Sequence, residues 1–252
     1  MLKLHQKDRC FTLLFDTGPE EGLVIENAKR MGVDLKQVDA IVISHGHFDH
    51  YGGTLSVLKE IGKKDLPVYA HPEVFLPRAF KKKKLITISH LITPKDVEKA
   101  GGKVITSRDA TPLWEDSVIL TGEVPRKTAY EQGAPGEHRL VEGCWESTPD
   151  IIDERCLVFE LEGKGLCVLT GCGHTGVVNA ARHAIETTGK EKIHMKIFVL
   201  PKSKALSLAL DSSLKYPCKK VSGNRMISEN EALLHTNSIV FNACSIDVAG
   251  GP

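Results

Sequence analysis

The sequence predicts an α/β domain of layered architecture around a mixed sheet, and three observations carry that prediction. Apolar runs of strand length alternate with stretches of helical periodicity from residue 11 to residue 200. The stretch CLVFELEGKGLCVLTG reads as two strands turning on Gly163, Lys164 and Gly165, so part of the sheet is antiparallel. At 252 residues the chain is long enough for one sizeable domain or two small ones.

The first element, FTLLFDTG, is a buried strand that ends at Asp16. EGLVIENAKRMG sets Leu23, Ile25, Ala28 and Met31 near helical spacing, with Gly32 as its stop. VDAIVIS is the next strand. GGTLSVLKEIG is a short helix with Leu55, Leu58 and Ile61 on one face, and PVYAH is a strand. The pattern is mixed from residue 81 to 101, and SVILTG is again a strand. Residues 125–155 show no sustained period and are rich in Gly, Pro and charge, which predicts a long loop lining a pocket. After the hairpin, GVVNAARHAIETTG is an amphipathic helix with Val177, Ala180, Ala181, Ala184 and Ile185 inward. IHMKIFVL is the last clear strand, and beyond Pro201 the pattern weakens.

Composition narrows the partners. The chain is 41% hydrophobic and 26% charged, an ordinary globular balance. A formal net charge of +1 gives no global pull toward nucleic acid or anionic membrane. The one basic cluster, Lys81 to Lys84, reads as a solvated loop or helix end. No apolar stretch approaches the ~20 residues that span a bilayer, and MLKLHQKDRC lacks the apolar centre of a signal peptide. The seven cysteines are odd in number, dispersed and free of CxxC spacing, which predicts reduced thiols in a cytoplasmic protein.

The chemistry concentrates in VDAIVISHGHFDHYGG. Three histidines and an aspartate fall within six residues. His45 and His47, two apart in an extended segment after a strand, point the same way. Imidazole is the commonest zinc ligand and also suits iron and nickel. Asp49 and His50 add an oxygen and another nitrogen. Four donors this close cannot easily share one ion but can serve two adjacent ions. Gly46, Gly52 and Gly53 let the loop bend tightly.

SHGHFDH matches the HxHxDH signature of the metallo-β-lactamase superfamily, and the chain resembles that family. The resemblance implies an αβ/βα sandwich with helices outside and the metals at one edge. It implies that His45 and His47 bind a first metal and Asp49 and His50 a second. It also implies that Asp49 orients water or accepts a proton, and that Asp16 of FDTG braces the metal loop. Where the family ends a strand in TGD, this chain has Thr170, Gly171 and Cys172, followed by His174 in VLTGCGHTG. Both Cys172 and His174 are zinc-ligand types. The implied cofactors are two divalent ions, zinc first, with iron or manganese accepted by the same donors. The implied activity is hydrolysis of a lactam, ester or phosphoester by a metal-bound hydroxide.

The segments around residues 25–53, LTGEVPR, and LVFELEGKGLCVLTGCGHTGVVNAAR resemble one branch, the group that includes the dihydropterin–ribofuranosylaminobenzene phosphate synthase of methanopterin biosynthesis. That branch implies a transferase alternative and puts Glu123 and Arg126 near the substrate, with Arg126 gripping a phosphate. Two features depart from it. Only ten residues precede Phe11, and no GGFH or CHCTG segment follows Ile193. The expected organisation is therefore a domain over 1–200, shortened at both ends, and a divergent tail over 201–252. A shortened sheet edge would invite homo-oligomers. A third reading, a non-catalytic metal-binding remnant, derives from the same tail.

Overall fold

The computed structural model describes residues 1–87, 92–114, 117–198 and 244–247. The predicted tail, 201–252, otherwise lies outside them. Two sheets face each other. The first takes its strands from the N-terminal half: β1 (Leu2–Gln6), β2 (Arg9–Phe15), β3 (Ala40–Val42), β4 (Leu66–Ala70), β7 (Gly102–Thr106) and, from the far end of the chain, β15 (Cys244–Asp247). Its order is β15-β1-β2-β3-β4-β7, with only the β1–β2 pair antiparallel. The second sheet comprises β8 (Thr111–Trp114), β9 (Val118–Leu120), β12 (Leu157–Leu161), β13 (Gly165–Thr170) and β14 (Ile193–Phe198) in the order β14-β13-β12-β9-β8.

Strand alternation decides which core each side chain enters. Leu13 and Val42 of the first sheet meet Leu120, Leu157 and Phe159 of the second in a central layer. Their chain neighbours Leu14 and Ile41 face the other way, onto α1 (Leu23–Arg30) and α3 (Thr54–Ile61) through Val24, Ala28, Val57 and Leu58. Val158 and Val168 turn from the central layer onto Ala180 and Ala184 of α5 (Val177–Thr188). Helix, sheet, sheet and helix are thus stacked, which is the αβ/βα sandwich the resemblance implied. The short helices α2 (Phe48–Tyr51) and α4 (Pro94–Lys99) complete the helical layer around the first sheet.

Several expectations need correction. Residues 125–155 are not one long loop. They hold β10 (Glu137–Val141) and β11 (Cys144–Ser147), which join β5 (Arg78–Lys81) and β6 (Leu85–Thr87) in a four-stranded antiparallel sheet. These strands are short, polar and half-exposed, so they lack an apolar period, and their turn at Glu142 and Gly143 has φ of 49° and 83°. Met31, the last residue of the helical spacing, lies just past α1 as its cap and is 43% exposed. Val177, the first residue of α5, is 40% exposed, and Asn179 takes an inward place instead. The ten residues before Phe11 contain β1 and the start of β2. Lys81 to Lys84 lie exposed at the β5–β6 turn, as the solvated reading expected.

Candidate metal centre

The donors gather at the C-terminal ends of β3 and β13, one strand from each sheet. Ile41 and Val42 anchor β3 in the two cores, and the chain then leaves the sheet at Ser44 with His45 fully buried. Asp16, just past β2, organises the donor loop. It is buried and holds φ 63°, a conformation that short polar side chains tolerate best. Its Oδ1 accepts from Ser44 N–H at 2.7 Å and its Oδ2 from Ser44 Oγ at 2.8 Å. The same Oδ2 lies 2.7 Å from His50 Nδ1. An Nδ1–H donated to this carboxylate leaves Nε2 of His50 as the outward lone pair. That atom faces Cys172 Sγ at 3.1 Å.

Two overlapping donor groups result. His45, His50 and Cys172 form one, and His45, His47 and His174 the other, each with its ligand atoms within 4.8 Å of one another. His45 Nε2 and His47 Nδ1 are 3.0 Å apart. Two nitrogens on one tetrahedral zinc at ~2.0–2.1 Å would be about 3.3 Å apart, so this donor set fits a divalent ion in both chemistry and spacing. The His174 ring stands edge-on to His45 and His47, with centroids 5.1 and 4.8 Å away.

Protonation tendencies inside the cluster diverge. Burial, with His50, His47 and His174 nearby, drives His45 well below the ordinary imidazole value. Burial also opposes the charged form of His47, but hydrogen bonds to Cys172 and Glu137 and the Glu137 charge outweigh it and raise His47 to about 9. His50 rises well above its ordinary value because the Asp16 carboxylate outweighs its burial. Burial works against the Cys172 thiolate, yet hydrogen bonds from His47 and His50 prevail and lower that thiol. Neighbouring groups pushed in opposite directions mark functional sites more often than structural ones.

The remaining predicted site residues lie around this cluster. Asp49 belongs to neither donor group; its carboxylate is 39% exposed, with Oδ2 3.8 Å from His50 Nε2. Glu123 accepts from His71 Nε2 at 3.1 Å and from Arg108 Nη1 at 2.6 Å. The Arg126 guanidinium donates to the main-chain carbonyls of Glu131, Asp150 and His174 at 3.0, 2.6 and 2.8 Å, and so holds the backbone beside His174. Three buried acids escaped the sequence reading. Glu137 faces His47 Nε2 at 3.2 Å, Asp153 accepts from Gly46 N–H, and Glu154 accepts from Gly173 and Thr175 N–H. All three lie in the stretch without periodicity, and only the unusual burial of charge reveals them.

A sequence model of the metallo-beta-lactamase superfamily matches residues 10–138, just over half of the chain. The chain belongs to the metallo-beta-lactamase superfamily. Among curated relatives it is 30% identical over 190 residues to the 7,8-dihydropterin-6-methyl-4-(beta-D-ribofuranosyl)-aminobenzene-5'-phosphate synthase of Methanocaldococcus jannaschii, covering 73% of this chain and 63% of that one. It is 29% identical over 174 residues to an uncharacterized protein of the same archaeon, covering 68% and 61%. The chain therefore spans less than two thirds of the length of either relative. Among solved structures, a metal-dependent hydrolase of the beta-lactamase superfamily superposes with a TM-score of 0.59 at 22% identity, over 80% of this chain and 73% of that one, which shows the shared fold.

Proposed function

We propose that the chain is a metal-dependent enzyme acting on a small molecule, and that its reaction is hydrolysis at a site holding two divalent cations. One observation carries the reading: two donor groups of ligand-type side chains share His45 at the mouth of a superfamily fold. In this reading His45, His47 and His174 hold one cation, and His50 and Cys172, with Asp49 beside them, the other. Zinc suits this nitrogen and sulfur set first, and iron or manganese accept part of it. When bound, such ions supply Lewis acidity and a nucleophile at neutral pH.

The chain's own residues then have separable tasks. Asp16 fixes the His50 tautomer through Nδ1, and Glu137 does the same for His47 through Nε2. Asp49, outside both donor groups and partly open to solvent, takes a proton from water or hands one to the leaving group. Arg126 keeps the His174 backbone in place, and Glu123 is itself held by Arg108 and His71.

A synthase reading stands second, favoured by the 30% identity to the archaeal enzyme. There the aminobenzene partner would displace the diphosphate of an activated dihydropterin, and Asp49 would receive the proton that partner loses. Among the described residues no helix is long and apolar enough to cross a membrane, and Cys10, Cys144, Cys156, Cys167 and Cys172 are free thiols; a cytoplasmic setting is part of this proposal.

The test is a turnover screen on chromogenic esters, lactams and phosphoesters, run beside the pair of a dihydropterin activated as its diphosphate and ribofuranosylaminobenzene phosphate. The reading expects hydrolysis that a chelator abolishes and zinc restores, and that Asp49→Ala lowers 10²–10⁴-fold. Turnover of the pterin pair alone would put the synthase first. Chelator-resistant hydrolysis would overturn the metal-dependent mechanism.

A further inference from the structure

Residues 153–155 have no part in the reaction proposed above, yet they touch both donor-bearing loops. The first loop, residues 44–50, carries His45, His47 and His50, and the second, residues 171–176, carries Cys172 and His174. Asp153 is fully buried and accepts from Gly46 N–H at 2.7 Å through Oδ2, while Arg78 Nη2 sits 2.6 Å from its Oδ1. Glu154, also fully buried, accepts from Gly173 N–H at 2.6 Å and from Thr175 N–H at 2.7 Å with its two oxygens, so its carboxylate straddles His174. Arg155 N–H donates to Ser44 O at 3.0 Å. Three consecutive residues thus bond to the first, the second and again the first loop.

Two further observations show how tightly this arrangement is set. Ile151, in the turn leading to the tripeptide, is fully buried at φ 46°. A branched side chain rarely adopts that conformation, and it persists only where the surroundings over-determine it. The loops also touch directly, since a Cβ at Gly171 would lie 2.3 Å from Ser44 Oγ. Buried carboxyl groups are costly unless hydrogen-bonded, and those of Asp153 and Glu154 accept from main-chain N–H groups flanking donors.

We propose that Asp153, Glu154 and Arg155 act as a buckle, positioning residues that fix the separation of the two loops so that Cys172 and His174 meet the same cations as His45. The inference rests on the metal-dependent reading above. A merely structural tripeptide would affect melting but not the coordination of the thiolate.

The experiment loads the full chain with cobalt(II), whose absorption acquires a thiolate charge-transfer band when a cysteine coordinates, and measures zinc affinity by chelator competition. Glu154→Gln sets an amide N–H₂ against a backbone N–H. It is expected to weaken the thiolate band and lower zinc affinity about 10–100-fold. Asp153→Asn loosens the first loop and is expected to lower affinity by a similar factor while the band remains. Circular dichroism establishes that each variant is folded, and Glu154→Asp, with its shorter reach, replaces Glu154→Gln if that chain does not fold. Variants that melt lower but keep wild-type affinity and spectrum overturn the buckle and leave the metal reading intact. A wild type that takes up neither cobalt nor zinc overturns both.

Discussion

Asp16 shows how a single residue links the sandwich to its chemistry. The β2 strand delivers it, its φ of 63° turns the chain, and its two oxygens are divided between Ser44 and His50. Asn tolerates the same backbone conformation, so Asp16→Asn tests the carboxylate and not the turn. The expected result is a folded protein with zinc affinity reduced about 10–100-fold, read by chelator competition. Wild-type affinity would show that His50 needs no carboxylate behind it. At this scale the sequence was informative where donors are adjacent. His45, His47, Asp49 and His50 stand out as a cluster, and Cys172 and His174 by their place after a strand. Asp16 was visible through its turn. Glu137, Asp153 and Glu154 were not, because their roles depend on burial and on partners 90 to 107 residues away for two of them, His47 and Gly46.

At the scale of elements, α5 matters most, since its first turn comes directly after the His174 loop. It begins at Gly176 with no side-chain cap from that residue. Glu131, far away in sequence, supplies one instead. Its carboxylate accepts from Val178 N–H at 2.7 Å, Asn179 N–H at 2.9 Å and Thr128 Oγ at 2.8 Å. Burial opposes its ionisation, but these backbone donors outweigh it and its carboxyl lies below the ordinary value of 4.5. A depressed folded value stabilises the protein above the unfolded one, and that stability is lost as pH falls through the folded value. Glu131→Gln should therefore cost about 1 kcal/mol near neutrality, lowering Tm by roughly 2–4 °C. The difference should shrink as pH falls below about 4. Thermal melts at pH 7 and pH 3.5 check this, and a gap that is constant with pH would refute the cap as an ionic one. Helical and hairpin patterns were legible because burial imposes a period on apolar residues. The β10–β11 pair was not, because Glu137, His138 and Arg139 are polar residues held by the β5 strand and by ion pairs, including Arg139 with Glu73.

The whole molecule holds two sheets together through one central layer, and the donors ride on strand ends from both sheets. Phe159 sits in that layer at 1% exposure, on the second sheet with Leu120 and Leu157, packed with Leu13 and Val42 of the first. Phe159→Ala should cost about 3–5 kcal/mol and lower Tm on the order of 10 °C. Ile86→Ser, on the exposed β6 strand at 56% exposure, should change stability by less than about 0.5 kcal/mol. Calorimetry on the two variants checks the contrast, and equal effects would contradict the layered core. The alternation of strands and helices made this architecture readable, but the third sheet and the pairing of β1 with β15 join segments too distant for any local pattern to show.

The central claim is that the donors converging from the two sheets hold two cations. Elemental mass spectrometry of the purified protein and of His50→Ala tests it most directly. We predict about two divalent ions per chain in the wild type and about one in the variant. A wild type that carries one ion or none after incubation with zinc would contradict the claim.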